Sequence, residues 1–215
     1  MVQTQRMTER SAPNWPEEPA GATRPDWRDT LRNASDLALL GIVATVAALP
    51  VVTAGAAVAT ASAALDEWLA TGRWPGVRPA LRVFGRAVLP GAGATALAAV
   101  VAALFAVNLL ALTRGTVPGG TALVAVTGAL AAAAGGFAGL TVVELGRQGG
   151  HGWLGAVRRA GHTVQERPVT LLAATGVVLL TGLLCVLVLP VITPILAGYA
   201  LFGLHIAVRR VAARR

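Results

Sequence analysis

Four stretches of this chain are almost wholly apolar: residues 37–69, 87–112, 121–145 and 169–208. A helix needs about 20 residues to cross the hydrocarbon core of a bilayer. The second and third stretches fit one crossing each; the first and last are too long for one. Each long stretch is interrupted near its middle by nearly the same pentapeptide, L-P-V-V-T at 49–53 and L-P-V-I-T at 189–193. Proline removes a backbone donor and clashes with the preceding turn, and it pushes the residue before it out of the helical region. The pentapeptides therefore predict helix breaks at Pro50 and Pro190, where the chain turns back. The hydroxyls of Thr53 and Thr193 are expected to satisfy backbone groups freed in their own turns. The fold class that follows is all-α: a polytopic transmembrane bundle of about six membrane helices, with two Pro-broken hairpins and amphipathic cytoplasmic helices. The segments lie near 33–49, 51–69, 87–112, 121–145, 169–189 and 191–208. The first is the weakest, because its purely apolar part runs only from Leu37 to Leu49.

Composition supports the membrane class. Of 215 residues, 55% are hydrophobic and 13% charged, about half the charged share of a soluble domain. The same figures exclude a collagen-like, disulfide-scaffold or disordered chain. All 18 basic residues are arginine against 10 acidic ones, a net charge of +8. Their placement sets the expected topology. In a six-segment arrangement every arginine except Arg114 falls on one side: the N-terminal region, the loops 70–86 and 146–168, and the C-terminus. Cytoplasmic loops carry the positive excess, so both termini are expected in the cytoplasm, with the chain a multi-pass protein of the cell membrane. Trp27, Trp68, Trp74 and Trp153 fall at the same edge, as interfacial anchors do. Residues 1–26 are polar, dotted with proline and without periodicity, and are expected to form a disordered cytoplasmic tail with no cleavable signal. Residues 27–208 form one membrane domain, and 209–215 a basic cytoplasmic C-terminus.

Two loops carry a pattern of their own. In 74–88, Val77, Ala80, Leu81, Phe84 and Val88 recur on one helical face and Arg78, Arg82 and Arg86 on another. That is an amphipathic helix suited to lie along the inner membrane surface, where anionic lipid attracts each arginine by roughly 1 kcal/mol. In 152–167, Ala156, Val157, Ala160 and Val164 face one way, with Arg158, Arg159 and His162 opposite. These arginines are the candidate contacts to anionic lipid of the inner leaflet or to a protein partner; nothing in the pattern calls for nucleic acid.

Chemistry-bearing motifs are absent from the sequence. His151, His162 and His205 are too scattered for a metal site. Cys185 sits in an apolar run with no neighbour to stabilise a thiolate. No nucleophile-elbow, zinc-protease or phosphate-loop pattern occurs. No cofactor and no catalytic residue is assigned, and the chain is expected not to be an enzyme. Asp36, Asp66, Glu67, Glu144, Asn108 and His205 lie toward helix ends and are expected to be interfacial polar groups, with Glu144 and Arg147 spaced to pair. A buried ionisable group near the midplane would mark a transport path, and none is found. The small residues Gly128, Ala132, Gly135, Gly136 and Gly139 permit close helix packing.

Residues 39–61, L-L-G-I-V-A-T-V-A-A-L-P-V-V-T-A-G-A-A-V-A-T-A, resemble the N-terminal hallmark of the YesL-like family of bacterial membrane proteins. In that family a short first helix ends in L-P-V-V-T, and a glycine with small residues opens the second. Residues 82–86, R-V-F-G-R, and 156–164, A-V-R-R-A-G-H-T-V, are similar to its cytoplasmic segments. The resemblance spans roughly 31–208. The chain departs from the commoner members in lacking their Lys-rich, aromatic loops and in having Phe137 before Ala138 where they carry an aromatic-Pro pair. The resemblance implies an accessory to an ATP-driven (ABC-type) importer of carbohydrate, without catalytic activity of its own. The alternative is a small transporter or permease-like subunit. The coupling helix of ATP-driven permeases carries an E-A-A…G pattern, and residues 156–161 match it only distantly and lack its glutamate.

Overall fold

The computed structural model describes residues 27–114, 120–187 and 192–213. These residues form seven α-helices and one short 3-10 turn, with no strand among them. In order they are α1 (Trp27–Ala48), a 3-10 turn (Val51–Thr53), α2 (Ala54–Thr71), α3 (Val77–Thr113), α4 (Gly120–Arg147), α5 (Trp153–Glu166), α6 (Pro168–Leu187) and α7 (Thr193–Ala213). The chain divides into two units, residues 1–34 and 35–215. In the first, the described part is the opening of α1, where the Arg28 guanidinium lies 5.6 Å from the centre of the Trp27 ring.

Five helices are long and apolar enough to cross a membrane: α1 from Thr30, α3, α4, α6 and α7. The chain is thus a multi-pass membrane protein built as an all-α bundle. Two expectations shift. The first segment, which the sequence made the weakest, is a full 22-residue helix. The segment that does not qualify is α2, 18 residues long and rich in alanine, with Asp66 and Glu67 near its end. Its weak apolarity is explained by its place. Ala56, Ala59, Ser62 and Leu65 have no exposed surface, so α2 is solvated by other helices rather than by lipid.

The break at 49–53 has a local cause. Pro50 takes an extended conformation, φ −72° and ψ 108°, and the chain re-enters a helix through the 3-10 turn. Thr53 Oγ1 lies 2.6 Å from the Ala47 carbonyl oxygen and 2.8 Å from that of Pro50. Its one proton is shared between the Ala47 carbonyl, which the break leaves without a helical donor, and the Pro50 carbonyl, which also accepts the Thr53 N–H at 2.7 Å. Thr53→Val is therefore expected to cost about 1–2 kcal/mol, read as a shift of the unfolding midpoint in mixed micelles; an unchanged midpoint would show that lipid or water serves these carbonyls instead. The matching expectation at the second break is corrected in part. Pro190 lies outside the described residues. Thr193 opens α7, exposed, and its hydroxyl makes no hydrogen bond among the described residues. The position accounts for this: Thr193 is already the first residue of the helix, past the cap position from which a side-chain oxygen accepts the free N–H groups.

A second correction concerns 74–88. No separate surface helix forms there. Residues 77–88 run without interruption into the spanning segment, giving one helix of 37 residues. At 1.5 Å per residue that is about 55 Å, against a hydrocarbon core of about 30 Å. Pro90, inside α3, removes the N–H that would serve the Arg86 carbonyl, at the junction between the charged and apolar parts.

Helices approach one another at glycines. A Cβ on Gly55 of α2 would strike the Gly91 carbonyl of α3. A Cβ on Gly198 of α7 would strike the Leu37 carbonyl of α1, and one on Gly41 the Pro194 carbonyl. One on Gly136 of α4 would strike Thr175 of α6, and one on Gly146 would strike Ser62 of α2. Such backbone-to-backbone contact is how membrane helices gain dispersion energy where no hydrophobic drive separates them from lipid. Side chains then fill two clusters. One joins Leu140, Val143, Ala160, Ala174, Leu204 and Val208. The other joins Ala56, Ala59, Ala87, Leu145 and Ala156, with Phe84, Val88 and Trp153 packed against it.

Candidate functional site: the arginine-bearing end

Long-range contacts gather the charged connections at one end of the bundle. The turn after α2 is closed by Gly72 in the left-handed region, φ 70°, its N–H bonded to the Trp68 carbonyl. This points Trp74 back, so that its indole stacks on Trp68 with centroids 5.1 Å apart and donates to Asp36 Oδ2 at 3.1 Å. Arg209 of α7 donates to Asp66 Oδ1 at 3.0 Å and to the Leu69 carbonyl at 3.1 Å. Arg167, held out of the helical region before Pro168 (φ −145°, ψ 81°), donates to the Val211 carbonyl at 3.2 Å. Residues 209–213 are thus not a free tail: the helix runs on to Ala213, and Arg209 ties it to α2.

Beneath these pairs lies a polar column. Ser62 Oγ donates to the Val142 carbonyl at 2.7 Å and lies 3.4 Å from His205 Nε2. His205 Nδ1 lies 3.0 Å from the Leu201 carbonyl, which assigns the ring proton to Nδ1. Both Ser62 and His205 are wholly buried. Glu144, also buried, accepts from Arg147 Nη1 at 2.8 Å, the pairing that the i to i+3 spacing predicts. The sequence identified the acids but not the column. Ser62 on α2 and His205 on α7 are 143 positions apart, and the close crossing of α2 over α4 at Gly146 sets the hydroxyl against the Val142 carbonyl.

The arginines proposed as outward contacts behave differently. Arg78, Arg82, Arg86, Arg158 and Arg159 are all exposed. None of them forms an ion pair among the described residues. On α3 the opposite face is divided: Phe84 and Val88 pack inward, while Val77 and Leu81 are exposed. On α5, Ala156 and Ala160 are buried completely and rest on the bundle, while Leu154 and Val157 are exposed beside the polar face. Trp153 is no surface anchor either, since its indole nitrogen is buried without a hydrogen-bond partner among the described residues.

Two clefts flank Arg147. One, of about 210 Å³, is lined by Thr60, Asp66, Glu67, Pro79, Val83 and Arg147 among others. The other, of about 200 Å³, lies between Arg147, Glu166, Arg167 and α7. Both fall below the ~300–1,000 Å³ of usual small-molecule sites; of their charged groups Asp66, Arg147 and Arg167 serve internal partners, while Glu67 and Glu166 form no ion pair among the described residues. No group of three metal-capable side chains occurs among the described residues. No family model, no curated protein and no solved structure matches the chain.

Proposed function

We propose that the chain is a non-catalytic accessory of the cell membrane whose arginine-bearing end faces the cytoplasm and rests on anionic lipid. One observation carries this reading. At that end Ser62, Asp66, Glu144 and His205 are engaged by internal partners, whereas Arg78, Arg82 and Arg86 stand exposed at four-residue spacing with no ion pair among the described residues. Unpaired guanidinium groups in a row suit a sheet of anionic headgroups, each gaining roughly 1 kcal/mol there. The cytoplasmic orientation rests on the arginine distribution. The link to an ATP-driven carbohydrate importer rests on the resemblance of residues 39–61 to the YesL-like family. A permease-like subunit is the second reading, favoured by one observation: α5 is a short helix held between spanning helices, as a coupling helix is.

The test uses the full chain in its native membrane. Replacing Arg78, Arg82 and Arg86 together by lysine keeps the charge and is expected to leave insertion and any co-purifying partner unchanged. Replacing all three by glutamine is expected to lower correctly oriented protein several-fold. Orientation is read from single cysteines at Gly76 and Gly119, with Cys185 replaced. Labelling of position 76 by an impermeant reagent on intact cells would overturn the topology. Loss of a partner in the lysine variant alone would replace lipid by a carboxylate-bearing protein, because the planar guanidinium fork then matters. An intact importer among the partners favours the accessory; an ATPase alone favours the permease subunit.

A further inference from the structure

The apolar half of α3 exposes a seam that ends in an unsatisfied amide. Leu97, Val101, Leu104, Asn108 and Ala111 recur at alternating spacings of four and three, the a/d pattern of a helix that packs along another. Leu97 is 67% exposed, Val101 38% and Leu104 66%, so no helix among the described residues covers these three. Asn108 is exposed as well and makes no hydrogen bond among the described residues. It stands six residues before Arg114, about 9 Å along the axis, which sets its carboxamide just inside the edge of the hydrocarbon when Arg114 is at the headgroups, deeper than the interfacial place expected from sequence. A primary amide there without partners costs several kcal/mol.

The identity of the occupant follows from the chemistry of the amide. A carboxamide is donor and acceptor in one group. Two copies related by a two-fold axis place each N–H against the other's carbonyl, so the residue is its own complement. A seam that is apolar elsewhere and carries a single polar residue at one of its positions fixes the register of such a pair. We infer that the chain forms a homodimer through α3, with the Leu97–Val101–Leu104 line of one copy packed on that of a second and the two Asn108 side chains hydrogen-bonded across the axis.

Cross-linking between copies tests this directly in native membranes, with Cys185 replaced by alanine. Cysteine at Leu104, on the seam, is expected to give a disulfide-linked dimer on mild oxidation. Cysteine at Val107, one position before Asn108 and off the seam, is expected to give several-fold less. In vesicles, energy transfer between separately labelled copies gives the dissociation constant by lipid dilution. Asn108→Val, which only makes an exposed position more apolar, is expected to raise that constant about tenfold; Asn108→Gln, which keeps the amide, is expected to raise it much less. Equal cross-linking at 104 and 107, or an unchanged constant for Asn108→Val, would overturn the dimer. A cross-linked product containing another protein in place of a second copy would also overturn it, leaving the seam to a heterologous helix.

Discussion

Leucine in place of Gly55 is expected to destabilise the bundle by about 3 kcal/mol, the upper range for inserting bulk into a packed interior. A Cβ at this position already collides with the Gly91 carbonyl of α3. Backbone cannot rotate aside as a side chain can, so α2 and α3 must separate and forfeit the contacts along their length. Those contacts hold Ala56, Ala59 and Ala87 in one core cluster, so the damage spreads beyond the crossing point. The control is leucine at Gly93, two residues beyond Gly91, where an added Cβ meets nothing within 4 Å. That variant is expected to be neutral or slightly stabilising, since glycine inside a helix is less favourable than leucine by roughly 0.8 kcal/mol. Unfolding of both in mixed micelles decides the matter: if Gly55→Leu unfolds with the wild type, the close crossing is not what holds these helices.

The second large effect is expected at His205. The ring is wholly buried, its Nδ1 bonded to the Leu201 carbonyl and its Nε2 facing Ser62. Alanine there leaves a void beside Leu204 and Val208 and is expected to cost about 3 kcal/mol. Ser62→Ala is expected to cost nearer 1 kcal/mol, because the Val142 carbonyl it serves retains its helical donor. The Ser62–His205 separation of 3.4 Å makes that contact the weakest in the column. The double variant is accordingly expected to be additive to within about 0.5 kcal/mol. A coupling well above that would mean that hydroxyl and ring act as one unit.

What the sequence made legible was set by local causes. The turn at 49–53 could be read because proline acts on its own backbone, and a threonine three residues on can reach the carbonyls released. The Glu144–Arg147 pair could be read because both lie on one helix turn. The continuity of α3 could not. Its composition changes from arginine-striped to apolar near Val88, and a change of partner looks like a change of element. Helical hydrogen bonds are indifferent to that change, and Pro90 removes only one of them. The column of Ser62 and His205 was hidden for another reason: its members meet where α2 packs against α7, and nothing near either residue encodes the other. Glycines at crossings were visible only as small residues in an alanine-rich chain. Which of them touch backbone depends on the facing helix, and Gly128 and Gly136, two turns apart on α4, meet open space and Thr175 respectively.

The burial of α2 bears on how the protein is made. A segment of alanine, glycine and threonine with Asp66 and Glu67 near its end gains little by partitioning into lipid on its own. During synthesis it emerges directly behind α1, joined by the five residues 49–53. A turn that short couples the fates of the two, so α1 brings α2 across as one unit and supplies the free energy of transfer for both. The surfaces of α2 that later meet α3 and α4 then wait in the bilayer for helices not yet translated, with small side chains that lipid tails cover and with the Ser62 hydroxyl still to find its acceptor on α4. Assembly of the bundle is thereby ordered from the N-terminus, and the proline turn serves as the hinge on which that order depends.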